Sequence, residues 1–415
     1  MFDQNYKFTC IDRFLKYVKY DTQSDDDSAT FPSTEKQKDL SRELLKELID
    51  LGLSDAHMDE HGYVYATLPA NTEKAVPVIG FIAHVDTSPA VSGANVNPVI
   101  HKNYNGGDIA LPKDGIIIRA KDNPDLQNMT GFDIITADGT TLLGADNKCG
   151  VAEIVDAANY LLTHPEIKHG NIKICFTPDE EVGRGTEKFD LVKFGAKYAY
   201  TVDGQTRGEV EDETFSADAM ILTFKGRNIH PGYAKGKMVN SVKLASKFIE
   251  SLPKNEFSPE TTEGREGYIH CVSINGNEEE TTLKFIIRDF EDEKLKEYED
   301  FLINLGNKTV EGIADAKFSY KINEQYRNMR TVIKQHPQVT DNAIEAMKRL
   351  NIQPIMSPIR GGTDGSRLSL MGLPTPNIFA GEHSFHSKTE WVAVQDMEMA
   401  VQLIVEISKV WEEKS

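Results

Sequence analysis

The predicted order of strands and helices is the feature that most restricts the fold of this chain. Over about the first 210 residues, short apolar runs alternate with amphipathic segments, which is typical of an α/β domain with a largely parallel sheet. The predicted strands include VIGFIAHV, NIKICFT and YAYTV. Amphipathic helices are predicted over residues 35–52 and from Asp146 onward, because apolar side chains recur there at helical spacing.

From about residue 215 the order changes to strand, helix, strand, strand, helix, strand, which is the ferredoxin-like pattern. After about residue 327 the α/β pattern resumes, with a helix through TDNAIEAMKRLN, a strand at TPNIFA and a final amphipathic helix. A chain of 415 residues also exceeds what one hydrophobic core usually organises. We therefore predict an α/β domain in residues 1–214 and 327–415, with an α+β domain inserted at 215–326.

Charge and composition argue against several classes of partner. The formal net charge is −19, which disfavours binding to nucleic acid or to anionic lipid. No apolar stretch is long enough for a membrane span, and the first residues lack the basic and apolar regions of a signal peptide. The cysteines are widely spaced without a CxxC pair, which suits reduced thiols in the cytoplasm. We expect a cytoplasmic protein.

A histidine and an aspartate end the first of these predicted strands. His84 and Asp86 lie on the same face, because side chains along a strand alternate with period two. A histidine that binds a metal usually donates its other ring N–H to a carboxylate, and this spacing supplies that pair. Alone the motif is weak, since a histidine near an aspartate is usually unremarkable.

Further polar residues also stand just beyond apolar strands. Each has an ordinary structural explanation, as a helix cap, a turn residue or a surface side chain. Together they favour one site, because the carboxyl ends of parallel strands converge on one crevice. Imidazole and carboxylate without cysteine suit zinc or a similar divalent ion, and two such ions balance three carboxylates and one hydroxide. These residues are Asp146, Glu180, Glu181, Asp203 and one of His383 and His386.

A series of motifs closely resembles the dizinc exopeptidases of the aminoacylase and carboxypeptidase-like family, in particular their tripeptide aminopeptidases. The resemblance extends from the first helix to the last motif. The HxD and acidic-pair elements belong to the whole superfamily, whereas HVDTSPAVSG, TVDGQTRGEVEDETFSA and HPGYAKGKMVN resemble the tripeptide aminopeptidase branch. The other motifs are LLGADNKCGVAEI, FTPDEEVGRG, RGGTDGSRLS and HSFHSKTEW.

The resemblance implies two zinc ions per subunit. One would be held by His84 and Asp203 and the other by Glu181 and His386, with Asp146 bridging both. Each ion would then have three protein ligands and share a water.

The resemblance also implies roles for residues beside the ligands. Asp86 would orient His84, and Glu180 would be the general base that takes a proton from the activated water. His386 is preferred to His383, because the family's ligand stands a few residues before a glutamate, as His386 does before Glu390.

The inserted domain resembles one that closes over the active site and joins two subunits. His230 matches a histidine that donates to the developing oxyanion, and Arg288 and Arg360 match positions that bind the carboxylate end of the substrate. As isolated residues, His230 would be a turn residue before Pro231 and the arginines would be surface side chains.

The resemblance thus implies a homodimeric aminopeptidase that removes the N-terminal residue of tripeptides. A nearer alternative is an N-acyl amino acid deacylase or a dipeptidase on the same scaffold. A more distant alternative is a noncatalytic binding protein that has kept the fold. It is disfavoured because the proposed base Glu180 and all five proposed ligands are present.

Overall fold

The computed structural model describes residues 2–3 and 5–415. They form two compact units: the second comprises Glu213–Arg330 with Pro358–Gly362, and the first comprises the remaining described chain. The domain limits that the sequence predicts, after residues 214 and 326, stay a prediction. The short return of the chain into the second unit was not foreseen, and it carries Arg360.

The helices and strands follow the predicted alternation and its interruption. The helices are α1 (Cys10–Tyr17), α2 (Gln37–Asp50), α3 (Pro124–Gln127), α4 (Ala145–Thr163), α5 (Leu191–Phe194), α6 (Ser241–Glu250), α7 (Asp292–Val310), α8 (Arg330–Ile333), α9 (Gln338–Arg349), α10 (Asp364–Leu370) and α11 (Val394–Glu413). The strands are β1 (His57–Met58), β2 (Val64–Leu68), β3 (Ile79–His84), β4 (Val99–His101), β5 (Ile109–Ala110), β6 (Ile117–Ile118), β7 (Ile134–Thr136), β8 (Ile172–Thr177), β9 (Tyr198–Gly204), β10 (Glu209–Thr214), β11 (Ser216–Lys225), β12 (Tyr268–Gly276), β13 (Glu280–Asp289), β14 (Lys317–Tyr326), β15 (Ile355–Ile359), β16 (Asn377–Phe379), β17 (Glu382–His383) and β18 (Trp391–Ala393).

An eight-stranded mixed sheet organises the first unit, in the order β1-β2-β8-β3-β9-β16-β10-β15. Its centre is parallel, since β3 pairs with both β8 and β9, and β9 pairs with β16, in the same direction. Strand β2 pairs antiparallel to β8, and β10 antiparallel to β16. A smaller antiparallel sheet, β17-β18-β7-β4, takes two of its strands, β4 and β7, from the segment between β3 and α4.

The core of the first unit lies between the parallel strands and the long helices. Side chains such as Phe81 and Tyr200 on the sheet and Val155 and Ile404 on α4 and α11 are buried in one cluster. Helix α4 approaches β9 very closely at Gly150, where a Cβ atom would lie 2.0 Å from the carbonyl oxygen of Val202. The glycine therefore brings the beginning of α4 next to the end of β9.

The second unit has its own core and the predicted ferredoxin-like order. Its antiparallel sheet runs β12-β13-β11-β14, with α6 following β11 and α7 following β13. Apolar side chains from the sheet and both helices, including Leu222, Phe248, Phe285 and Leu302, form a separate buried cluster. The predicted fold class, α/β with an inserted α+β domain, is thereby confirmed. No helix within the described residues is both long and apolar enough to cross a membrane.

Candidate active site

The carboxyl ends of three neighbouring parallel strands carry the predicted polar residues. His84 is the last residue of β3 and pairs in register with Thr177, the last residue of β8. Asp203 lies near the end of β9, on the other side of β3. Because parallel strands end at the same edge of the sheet, these side chains and those of the turn after β8 share one crevice.

Asp146 lies at the centre of this site and separates it into two halves. Its Oδ1 atom is 2.9 Å from His84 Nε2, which is itself 3.4 Å from Asp203 Oδ1. Its Oδ2 atom is 3.1 Å from His386 Nε2, which is 2.7 Å from Glu181 Oε2. We call the first set the His84 half and the second set the His386 half.

The backbone around Asp146 is held by a buried glutamate. Glu390 accepts hydrogen bonds from the N–H groups of Leu143, Gly144 and Asp146, at 2.7, 2.8 and 3.0 Å. Gly144 has a φ of 81°, and the peptide bond between Asp146 and Asn147 is cis. The sequence reasoning used Glu390 only as a marker for the metal-binding histidine, and its contact with the start of α4 depends on tertiary structure.

Asp86 fixes three neighbours at once. Its carboxylate accepts the N–H groups of Glu180 and Glu181, at 3.0 and 3.2 Å, and lies 3.3 Å from His84 Nδ1. The aspartate is completely buried. It therefore holds the turn that carries both glutamates and contacts the ring of His84, and its role in orienting His84 stays a prediction.

Asp179, the first of three consecutive acids, has a structural task that the sequence reasoning did not find. Its carboxylate accepts hydrogen bonds from the N–H and hydroxyl of Ser33, at 2.6 and 2.5 Å, and from Gln37 Nε2 at 2.7 Å. Its φ is 58°, an unusual value that these three hydrogen bonds help to hold. Asp179 thus anchors the turn, and the next two acids face the site.

Burial dominates the electrostatics of the two glutamates. It raises the pKa of Glu180 well above the usual range, and Asp364, Asp203 and Glu181 add to this, although His84 opposes it. Burial, followed by the charge of Asp146, raises the pKa of Glu181 to about 8. A carboxyl group with a raised pKa is suited to accept and return a proton near neutral pH.

The pKa of His386 is raised as well, but its cause is contact with carboxylates and not burial. Burial alone would lower its pKa, but the hydrogen bonds to Asp146 and Glu181 outweigh burial and raise the pKa to about 10. The imidazole therefore serves as a positive partner for carboxylates in the metal-free protein.

The donor atoms fit divalent metal ions. His84, Asp146 and Glu181 place one ligand atom each within 4.8 Å of one another, and so do Asp146, Asp203 and Glu382. Within the described residues, Glu181 Oε1 and Asp203 Oδ1 are buried and accept no hydrogen bond. Buried carboxylate oxygens without donors are costly unless a cation or a proton satisfies them, so both donor sets suit hard or borderline divalent ions.

Two buried acids of the site escaped the sequence reasoning. Glu382 belongs to the second donor set, and Asp364 accepts a hydrogen bond from Thr177 at 2.7 Å beside the end of β8. Asp364 begins α10 within the RGGTDG motif, which had been considered for its arginine alone. No periodicity points to either acid, since both become neighbours of the strand ends through tertiary folding.

His383 packs elsewhere than His386. Its ring stacks on Trp391 with centroids 4.0 Å apart, and burial lowers its pKa to about 3. His386 is the histidine that contacts Asp146 and Glu181.

The predicted substrate-binding residues belong to the second unit. His230 is exposed, and its Nδ1 atom accepts the N–H of Gly232 at 3.2 Å. Arg288 donates to the carbonyl oxygens of Asp218 and Ile287, at 3.3 and 3.0 Å.

Arg360 is also engaged within the second unit. Its guanidinium donates to the carbonyl oxygens of Gly264 and Glu266, at 2.9 and 2.8 Å, and to the hydroxyl of Thr262 at 3.1 Å. It also lies over the rings of Phe215 and Tyr268. Arg360 therefore supports the segment around Gly264, and its contact with substrate stays a prediction.

Comparison with known proteins identifies relatives of this chain. Residues 132–409 match the model of peptidase family M20/M25/M40. A protein of Geobacillus thermodenitrificans named Peptidase T is 53% identical over 406 residues, covering 98% of each chain. A Peptidase T of Listeria innocua is 50% identical and covers 97% of this chain and 98% of its own.

Solved structures share the fold. An aminopeptidase PepT from Bacillus cereus has a TM-score of 0.74 at 23% identity, covering 97% of this chain and 98% of its own. A Staphylococcus aureus tripeptidase has a TM-score of 0.75 at 21% identity, with the same coverage. A Bacillus subtilis protein described as a dinuclear metal-binding peptidase of the M20 family has a TM-score of 0.65 at 12% identity.

The carboxyl edge of the sheet gathers histidine and carboxylate side chains that could hold metal ions, and together with the matched family and relatives this makes the chain a metallopeptidase. The chain belongs to peptidase family M20/M25/M40. It is an aminopeptidase, as the predicted activity required, and the resemblance read from its motifs is confirmed.

Proposed function

We propose that this aminopeptidase removes the N-terminal residue of tripeptides with two zinc ions and Glu180 as the general base. The observation that carries the proposal is the position of Asp146, whose two carboxylate oxygens face two separate sets of ligands. Relatives that share half or more of this sequence bear the name Peptidase T, and one structural neighbour is called a tripeptidase. These names support the choice of a tripeptide substrate.

The protein's own residues would hold two ions. His84 and Asp203 would hold the first, Glu181 and His386 would hold the second, and Asp146 would contribute one oxygen to each. Divalent ions held by these residues would lower the pKa of a bound water and polarise the carbonyl of the scissile bond.

Glu180 would move the proton. Its burial keeps the carboxyl group poised to accept a proton from water at a carboxylate oxygen and to deliver it to the departing amine. Asp86 holds the Glu180 backbone by a hydrogen bond and so fixes the turn from which the carboxylate projects. A positioned general base of this kind contributes about 10²- to 10⁴-fold in rate.

Recognition of both ends of the peptide would set its length. Arg288 and Arg360 would bind the terminal carboxylate, and His230 would donate to the developing oxyanion. A site that binds both ends is sensitive to length, because a displacement of about 1 Å at the reacting carbonyl can cost on the order of 10²-fold. We also propose that the enzyme is a cytoplasmic homodimer joined through the inserted domain.

A series of peptides tests the proposal. We expect unblocked tripeptides to be cleaved with the highest kcat/KM, dipeptides and tetrapeptides poorly, and N-acetylated tripeptides hardly at all. A C-terminal amide should weaken cleavage by the wild type, because it removes the charge that the arginines bind. In the variant Arg288→Gln, the free acid and the amide should be cleaved at similar rates.

Arg288→Gln is the cleaner of the two arginine variants, since Arg360 also supports the segment around Gly264. The melting temperature of each variant separates loss of binding from loss of folding. Preference for N-acylated substrates would instead favour the deacylase, preference for dipeptides the dipeptidase, and equal cleavage of all lengths would contradict recognition of both ends.

A further inference from the structure

Glu382 lies beside the His84 half, in a position fixed by the backbone. Strand β17 begins at Glu382, directly after two residues whose N–H groups donate to the carbonyl oxygen of Gly204. These hydrogen bonds, from Ala380 at 2.7 Å and Gly381 at 3.0 Å, tie the segment to the residue that follows Asp203. The side chain of Glu382 is thereby held next to the end of β9.

The carboxylate of Glu382 is buried without an adequate partner. It is 2% exposed, and over residues 2–3 and 5–415 its one side-chain donor is the thiol of Cys149, at 3.6 Å. A thiol is a weak donor, so this contact does little to offset the burial of a negative charge. A carboxylate in this environment requires a cation or a proton.

Two other carboxylates surround the same point. Asp146, Asp203 and Glu382 place one oxygen atom each within 4.8 Å of one another. The Oδ1 atom of Asp203 is buried and accepts no hydrogen bond from the described residues, and its side chain is 10% exposed. Three carboxylates converge here, and His84 Nε2 lies 2.9 Å from an oxygen of Asp146 and 3.4 Å from an oxygen of Asp203.

We propose that Glu382 is a further ligand of the ion in the His84 half, an inference that rests on the proposed two-metal function. This half then offers four protein ligands, and the His386 half offers three. Four protein ligands hold an ion more firmly than three do, and such an ion can still expand to five ligands when water or substrate binds. The two ions are therefore unequal: the His84 half retains its ion, and the His386 half exchanges its ion more readily.

Release of metal to a chelator tests directly whether the two halves retain their ions with different strength. The zinc-loaded enzyme is mixed with excess EDTA, and the zinc remaining per chain is measured over time by elemental analysis after rapid desalting. We expect the wild type to lose one ion quickly and one slowly. Glu382→Gln should lose the slow ion at least about 10-fold faster, because losing one ligand weakens a site at least as much as losing a supporting residue.

Two further variants separate ligation from charge and from folding. Glu382→Asp keeps the charge but shortens the side chain by one methylene, so it should lose the slow ion as Glu382→Gln does. Glu153→Gln is the matched control, since Glu153 is also fully buried, and neither of its carboxylate oxygens has a hydrogen-bond partner in the described structure. Because Glu153 is outside the ligand sets, its variant should lose both ions at the wild-type rates.

The cobalt-substituted enzyme gives a second readout that does not depend on activity. A cobalt ion with fewer ligands absorbs visible light more strongly, so Glu382→Gln should show a higher molar absorptivity than the wild type. Unchanged release and an unchanged spectrum in Glu382→Gln would overturn the ligand role and leave the two-metal function intact. Equal acceleration in Glu382→Gln and Glu153→Gln would also overturn it. A wild type that takes up no divalent ion would overturn both proposals.

Discussion

At the scale of single residues, neighbours in the sequence have separate tasks. Asp179 anchors the turn to Ser33 and Gln37, and the next two glutamates are held through their N–H groups by Asp86. Glu181 contacts His386, whereas Glu180 makes no ion pair with either site histidine. Because consecutive side chains point in different directions, one glutamate can hold metal and the other can move a proton.

This division of roles between Glu180 and Glu181 predicts different defects when each is replaced by glutamine. Glu180→Gln should keep both metal ions and lower kcat by at least about 10²-fold, because the amide retains the shape but cannot accept the proton. Glu181→Gln should instead lose metal from the His386 half. Metal content per chain and kcat, measured on the same samples, check this prediction. Identical metal content and identical activity in the two variants would contradict it.

The residues that the sequence reasoning found share one property, a position directly after an apolar strand. The structure brings the five predicted ligands into one cluster, although their roles as ligands stay a prediction. Glu382, Glu390 and Asp364 were missed because their importance comes from burial against other segments. Asp364 and Glu390 follow no long apolar run, and Glu382 follows TPNIFAG but was passed over in favour of the histidines beside it.

At the scale of helices and strands, the strongly periodic elements were predicted well. The helices predicted at residues 35–52 and from Asp146 onward correspond to α2 and α4, and the strand VIGFIAHV corresponds to β3. Short elements such as β17 and β18 were not predicted, since two or three residues carry no readable period. Hydrogen bonds to distant strands determine where these short strands form.

Close packing of α4 against β9 yields a prediction for Gly150→Ala. Replacing an exposed helical glycine with alanine usually stabilises a protein by about 1 kcal/mol. Here the added methyl group would lie 2.0 Å from the Val202 carbonyl oxygen, so we expect a loss of at least about 2 kcal/mol. We also expect weaker zinc binding, because Asp146 lies in the first turn of this helix. Urea unfolding and zinc titration measure both effects, and a stabilised variant would contradict the close packing.

At the scale of the whole molecule, removal of metal should reverse the dependence of stability on pH. In the metal-free protein, burial and the charge of Asp146 raise the pKa of Glu181 from 4.5 to about 8. Between these values the folded protein keeps a proton that the unfolded chain has released, so stability falls as pH rises. His386 contributes with the same sign, since its pKa rises from 6.5 to about 10.

Bound zinc should oppose this trend, because protons and metal compete for the same ligand atoms. We expect the metal-free enzyme to be more stable to urea at pH 6 than at pH 8, and the stabilisation by zinc to be larger at pH 8. Unfolding with EDTA and with saturating zinc at both pH values measures each contribution. A metal-free protein that is more stable at pH 8 would contradict the assigned shifts.

The insertion of the second unit has a consequence for biosynthesis. Four of the proposed ligands precede Glu213, where that unit begins, and His386 follows it. As the ribosome extends the chain, His84, Asp146, Glu181 and Asp203 emerge before the inserted unit, whereas Glu382 and His386 emerge after it. The His386 half is complete only after the whole inserted unit and the segment around His386 have been made. The nascent protein therefore lacks a complete site, and cannot cleave peptides, while the inserted unit is being synthesised.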